Sequence, residues 1–178
     1  MDDGLIRFVQ QPRSAWANGL GETVELWRTP AAGAFDMRLS IATVGESGPF
    51  SRLPGIDRVL MPLAEGGLAL RLDGEVTPVA QYDTIRFAGE ADAASVEVTA
   101  SGYDLNLMVR RGLGRPDLVA HRVHGLRPAD VPGLIAVIAL DGEVCWAGYT
   151  LSFGDTVLGA DAVGGVHGHG LVAVAAVA

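Results

Sequence analysis

Lysine is missing from this chain of 178 residues: all 13 basic side chains are arginine, against 21 acidic ones. That excludes a lysine Schiff base and a P-loop lysine. Any cationic contact with a ligand falls to arginine, whose planar fork matches a carboxylate. The net charge of −8 opposes binding to a phosphate backbone or an anionic bilayer, so neither nucleic acid nor membrane is expected as a partner. A single cysteine, Cys145, precludes an intrachain disulfide. Within Gly142-Glu143-Val144-Cys145-Trp146 it reads as a buried small hydrophobe rather than a nucleophile. Long apolar runs are lacking too. The longest, Leu134 to Leu140 and Leu171 to Ala178, fall well short of the roughly 20 residues of a membrane helix. The opening Met1-Asp2-Asp3-Gly4 is acidic where a secretory leader is basic, so a soluble cytoplasmic protein is expected.

What is present points to strands. Hydrophobic residues make up 49% of the chain, enough for a real core. Phe35 to Ala42 alternates strictly, with Phe35, Met37, Leu39 and Ile41 on one face. Thr23 to Arg28 and Asp104 to Arg110 alternate as well. Helical periodicity is nearly absent; the one candidate, Asp130 to Val137, is weakened by Pro132 and its β-branched residues. Short strands with frequent Gly and Pro turns predict an all-β sandwich or barrel.

A repeat divides the chain. Leu72-Asp73-Gly74-Glu75-Val76 recurs as Leu140-Asp141-Gly142-Glu143-Val144. Each Asp-Gly lies between apolar runs, the signal of a two-residue type I′ hairpin. Downstream, Phe87-Ala88-Gly89-Glu90 is answered by Phe153-Gly154-Asp155. Two barrel modules follow, residues 10–111 and 112–178, joined by a connection from Arg110 to Pro128. The second module is short for a closed barrel, so the N-terminal strand at 4–9, centred on Leu5 to Val9, is expected to cross over and complete it.

Metal chemistry finds little support. Barrel metal sites commonly use two His one residue apart, a Glu shortly after and a third His on a later strand. Neither Asp57 to Leu63 nor Leu134 to Leu140 contains a His. His167-Gly168-His169 has ligand-like spacing but no following Glu, and His121 and His124 read as surface residues. No metal and no cofactor are therefore expected. No Ser/His/Asp order and no paired carboxylates stand out, so no catalytic residue is assigned.

Anion binding has better candidates. Asp36, Arg38 and Ser40 share one face of the 35–42 strand, Arg58 follows in Pro54-Gly55-Ile56-Asp57-Arg58, and Asn106 and Met108 share a face of the 104–110 strand. In a sandwich these would form a solvent face, with the arginines in structural ion pairs, Arg58 with Asp36 or Asp57. Inside a small barrel they would line a polar pocket. In that pocket Arg38 and Arg58 clamp a small carboxylate, while Asn18, Ser40 and Asn106 supply neutral hydrogen bonds.

Trp16-Ala17-Asn18-Gly19-Leu20-Gly21-Glu22-Thr23, Arg38 to Val44, Gly48 to Arg58 and Asp104-Leu105-Asn106-Leu107-Met108 together resemble the HutD/Ves family. The resemblance is specific over residues 16–60; Leu20 departs from a turn that is often Gly there. It implies a bicupin fold, two tandem cupin-like antiparallel β-barrels of the RmlC-like jelly-roll type, without the usual cupin metal ligands. It also implies a bacterial cytoplasmic protein of histidine utilisation that binds a small anionic metabolite, such as N-formylglutamate or urocanate, in a regulatory or buffering role. The Ves branch is associated instead with stress or cold response. A metal-independent isomerase or amidohydrolase acting on a related carboxylate is the alternative, and a structural protein with a vestigial pocket is a third reading. The oligomeric state, a homodimer included, stays open.

Overall fold

The computed structural model describes residues 4–16, 19–124, 126–162 and 165–178. They fall into two compact units, one of Pro12–Pro116 and one joining Met1–Gln11 to Asp117–Ala178. Among the described residues no helix is long and apolar enough to cross a membrane.

The chain opens on β1 (Leu5–Ile6) and a 3-10 turn at Phe8–Gln10. The unit Pro12–Pro116 then holds β2 (Arg13–Ala15), β3 (Gly21–Thr29), β4 (Met37–Val44), β5 (Gly48–Pro49), β6 (Ile56–Pro62), β7 (Leu68–Leu72), β8 (Glu75–Val79), β9 (Ile85–Ala88), β10 (Ala93–Val96) and β11 (Gly102–Arg110). A six-stranded sheet runs β2-β3-β4-β11-β6-β9 and a four-stranded one β5-β10-β7-β8. The alternating segments of the sequence become β3, β4 and β11, the centre of the larger sheet. Both faces of β4 are buried: Leu39 and Ile41 are as buried as Ser40 and Ala42. A bulge between Glu25 and Trp27 lets β3 follow β4 along its whole length.

The other unit holds β12 (Pro116–Arg122), β13 (Leu134–Asp141), β14 (Val144–Trp146), β15 (Tyr149–Leu151), β16 (Thr156–Leu158), a single helical turn α1 (Gly159–Ala162), β17 (Val166–Gly168) and β18 (Leu171–Val177). Its sheets run β1-β16-β13-β18-β12 and β15-β14-β17. Val137, Val157, Val172 and Val174 of the first sheet and Val144, Leu151 and Val166 of the second share one core. The N-terminal segment is held there by β1 pairing with β16, by Phe8 packed edge-on against Phe153 at 5.7 Å, and by the buried Asp155. That carboxylate accepts from Arg7 Nη1 at 2.7 Å and from the backbone N–H groups of Phe8 and Ser152, each at 3.0 Å.

Several expectations are corrected. The sheets are open rather than closed barrels: Pro49, Pro78 and Pro116 sit on edge strands β5, β8 and β12, where a residue without an N–H tolerates the missing ladder. The helix candidate at Asp130 to Val137 is a 3-10 turn at Pro128–Asp130 leading into β13, as its Ile and Val content favours. The connection Arg110 to Pro128 contains β12, and only Leu5–Ile6 of the 5–9 segment is strand. Cys145 is half-buried rather than buried.

The repeated pentapeptide folds in two ways. Asp73 and Gly74 have φ of 50° and 94° and close a two-residue hairpin in which Leu72 faces Glu75. In the second copy β13 is already flanked by β16 and β18, so the chain leaves that sheet at Gly142 and β14 pairs with β15 and β17.

Candidate ligand-binding site

The site candidate is built on the adjacent strands β4, β11 and β6 of the six-stranded sheet. Period-two geometry sends Asp104, Asn106 and Met108 of β11 to one face. The ladder sets Ser40 of β4 opposite Asn106, and places Met108 between Arg38 of β4 and Arg58 of β6. These side chains line a cavity of about 430 Å3, with Trp16 and Phe50 forming its apolar wall. That volume suits a small metabolite. Trp16 and Phe50 meet edge-to-face at 6.1 Å, and Trp16 Nε1 donates to Thr23 Oγ1 at 2.8 Å.

Arg58 is the central group, only 5% exposed. Its guanidinium lies against two aromatic rings, 4.8 Å from the centre of Phe87 and 5.5 Å from that of Phe50. Nη2 donates to Asn106 Oδ1 at 3.1 Å, whereas the buried Nε has no partner among the described residues. Asn106 in turn donates through Nδ2 to Asp104 Oδ1. One asparagine thus joins a buried cation to a buried anion, and both ends of its amide are committed.

Burial costs both charges. Desolvation pushes the Asp104 carboxyl up to about 7, although Arg58 and the Asn106 hydrogen bond oppose the rise. Desolvation likewise brings Arg58 down to about 10, with nearby Arg38 adding to the fall and Asp104 resisting it. The mutual attraction does not repay the loss of water, a common outcome for buried pairs. Arg38 is more open, and its Nε sits 2.9 Å from Glu25 Oε2.

The structure therefore brings four of the five expected residues, Arg38, Ser40, Arg58 and Asn106, to one cavity. Asn18 lies outside the described residues. Asn106 is occupied by Arg58 and Asp104 rather than waiting for a ligand. Arg58 is not paired with Asp36 or Asp57, which bind Arg110 at 3.0 Å and Arg111 at 2.9 Å. Sequence reasoning missed Asp104, Phe50 and Phe87. The Asp-x-Asn spacing of Asp104 and Asn106 was a usable signal, since both must share the cavity face; nothing local marked the two rings.

A larger hollow of about 880 Å3 opens along residues 64–69 and 96–104. Its charged lining is acidic only, Glu65, Asp83, Glu97 and Asp104, so it offers no cation to an anion. All four histidines are exposed. Among the described residues no three His, Cys, Asp or Glu side chains gather where a metal ion would fit.

Comparison with known proteins places this architecture. The chain is 36% identical over 107 residues to an uncharacterized 21.2 kDa protein of the hutC 3′ region of Pseudomonas putida, covering 58% of this chain and 56% of that protein. The chain thus spans a little over half the length of the curated relatives it matches. A conserved protein of unknown function from Pseudomonas aeruginosa superposes with a TM-score of 0.75 at 27% identity, covering 97% of this chain and 96% of that one. HutD from Pseudomonas fluorescens, solved in a formate condition, superposes at 0.71 with 24% identity and 98% coverage of both chains, a likeness of fold. The family model described as HutD matches residues 9–165, and the chain belongs to the HutD family.

Proposed function

We propose that this protein is a metal-free, cupin-like member of the HutD family that binds a small carboxylate metabolite of histidine degradation, such as N-formylglutamate or urocanate, in a regulatory or buffering role in the cytoplasm. One observation carries the reading: a buried arginine, with the rings of Phe50 and Phe87 against its guanidinium, has an Nε–H without a partner among the described residues and lines a cavity of metabolite size. A guanidinium so desolvated gains most from a carboxylate, which accepts a charge-assisted hydrogen bond from it. The name of the Pseudomonas putida relative supports the histidine-utilisation context.

The test is a thermal-shift and calorimetric titration with N-formyl-L-glutamate and urocanate. A ligand that binds only the folded state raises the melting temperature by mass action. Arg58→Lys keeps the charge but loses the planar fork, and is expected to weaken binding by about 1–3 kcal/mol. Failure of both metabolites to bind the wild-type protein refutes the reading.

A second reading, a metal-independent isomerase or amidohydrolase, is favoured by Asp104. A carboxyl brought to about 7 on a cavity wall has the proton affinity of a general base. Turnover of either metabolite, followed by proton NMR and abolished in Asp104→Asn, would decide for it.

A further inference from the structure

Carboxylate binding at Arg58 leaves Asp104 unexplained. A plain anion bound to Arg58 in this cavity would sit beside a second buried carboxylate. Asp104 lines the same cavity as Arg58 and is 2% exposed. Its Oδ1 accepts from Asn106, which leaves further lone pairs on a group that can only accept while ionised. Arg38 faces Glu25, a carboxylate it shares with Arg28, so the fully buried charges of the cavity are one cation, Arg58, and one anion, Asp104. Asn106 stands between them with its carbonyl oxygen on Arg58 and its NH2 on Asp104, which fixes their spacing at one side-chain amide. The reverse amide orientation would set oxygen against carboxylate and NH2 against guanidinium.

We infer that Asp104 is the second pole of the ligand site and selects, among small carboxylates, those that also carry an N–H donor: N-acyl amino acids or imidazole carboxylates. The inference rests on the reading that a carboxylate meets Arg58. In the complex the ligand carboxylate takes the free Arg58 N–H, the ligand N–H donates to Asp104, and the Trp16–Phe50 wall covers the apolar part between them.

The experiment compares ligands with and without an N–H donor. At pH 8, urocanate is titrated against 3-(2-furyl)acrylate, in which a ring oxygen replaces the imidazole N–H and a CH group the second nitrogen. N-formyl-L-glutamate is titrated against its ester analogue, in which oxygen replaces the amide N–H. In whichever pair binds, the N–H member is expected to bind roughly ten- to a hundredfold more tightly, the range for one hydrogen bond to a charged group. Asp104→Asn is expected to remove most of that preference, chiefly by strengthening the furan or ester member, a gain that mere structural damage cannot produce. Equal binding within the pair, or an unchanged ratio in Asp104→Asn, overturns the inference while leaving carboxylate binding at Arg58 standing. No binding by any of the four overturns that reading and the inference with it. The wild-type ratio needs no variant, so it decides even where Asp104→Asn folds poorly.

Discussion

Ionising Asp104 in the folded protein should cost stability that protonation restores. Its carboxyl lies at about 7 in the folded chain against an ordinary 3.8. The folded state therefore holds a proton that the unfolded state has released, and stability falls as pH rises from about 4 to about 7. The gap corresponds to about 4 kcal/mol, with a steepest slope of about 1.4 kcal/mol per pH unit. Glu90 works in the opposite sense and in another window. Arg111 holds it down to about 2, so its contribution is present above 4.5 and is lost as pH falls toward 2. The two effects separate between pH 4.5 and 8. The assay is urea unfolding across that range, followed by tryptophan fluorescence in a Trp146→Phe background, so that Trp16 and Trp27 report the unit Pro12–Pro116. Wild type should lose stability toward pH 8, and Asp104→Asn should flatten the curve and be the more stable protein there. An identical pH slope in the variant would refute the assignment of the burden to Asp104.

Asp155→Ala strips the acceptor from Arg7, Phe8 N–H and Ser152 N–H, and should lower stability by about 3 kcal/mol, with residues 5–10 losing protection in amide hydrogen exchange. The two copies of the repeat should respond differently to one substitution. Gly74→Ala places a methyl in open space at φ 94° and should cost about 1 kcal/mol. Gly142→Ala adds a contact of 3.0 Å with the Gly170 backbone and should cost about 2–3 kcal/mol, both read from thermal unfolding.

Much of the fold was legible because the signals behind it are local. The direction of a side chain on a strand depends on its own backbone, so alternation in Thr23 to Arg28, Phe35 to Ala42 and Asp104 to Arg110 marked β3, β4 and β11 and put Arg38 with Ser40 and Asn106 with Met108. Asp73-Gly74 marked a hairpin because positive φ is a property of those two residues. The absence of lysine left arginine as the anion-binding group without reference to any fold.

What the sequence could not decide depends on competition for partners. Leu140-Asp141-Gly142-Glu143-Val144 matches the first hairpin letter for letter, yet β13 has both ladder positions filled by β16 and β18, and no local signal records that. Arg58 had Asp57 beside it in sequence, but Asp57 is taken by Arg111, and the strand pairing carries Arg58 to Asn106 instead. By itself the sequence determined the strands, the hairpin at Asp73-Gly74 and the chemistry available for a ligand. The tertiary structure alone decided which charges are buried together: Asp104 becomes a strained carboxylate only because β4, β6 and the ring of Phe50 enclose its cavity, and desolvation exists only once distant segments have excluded the water.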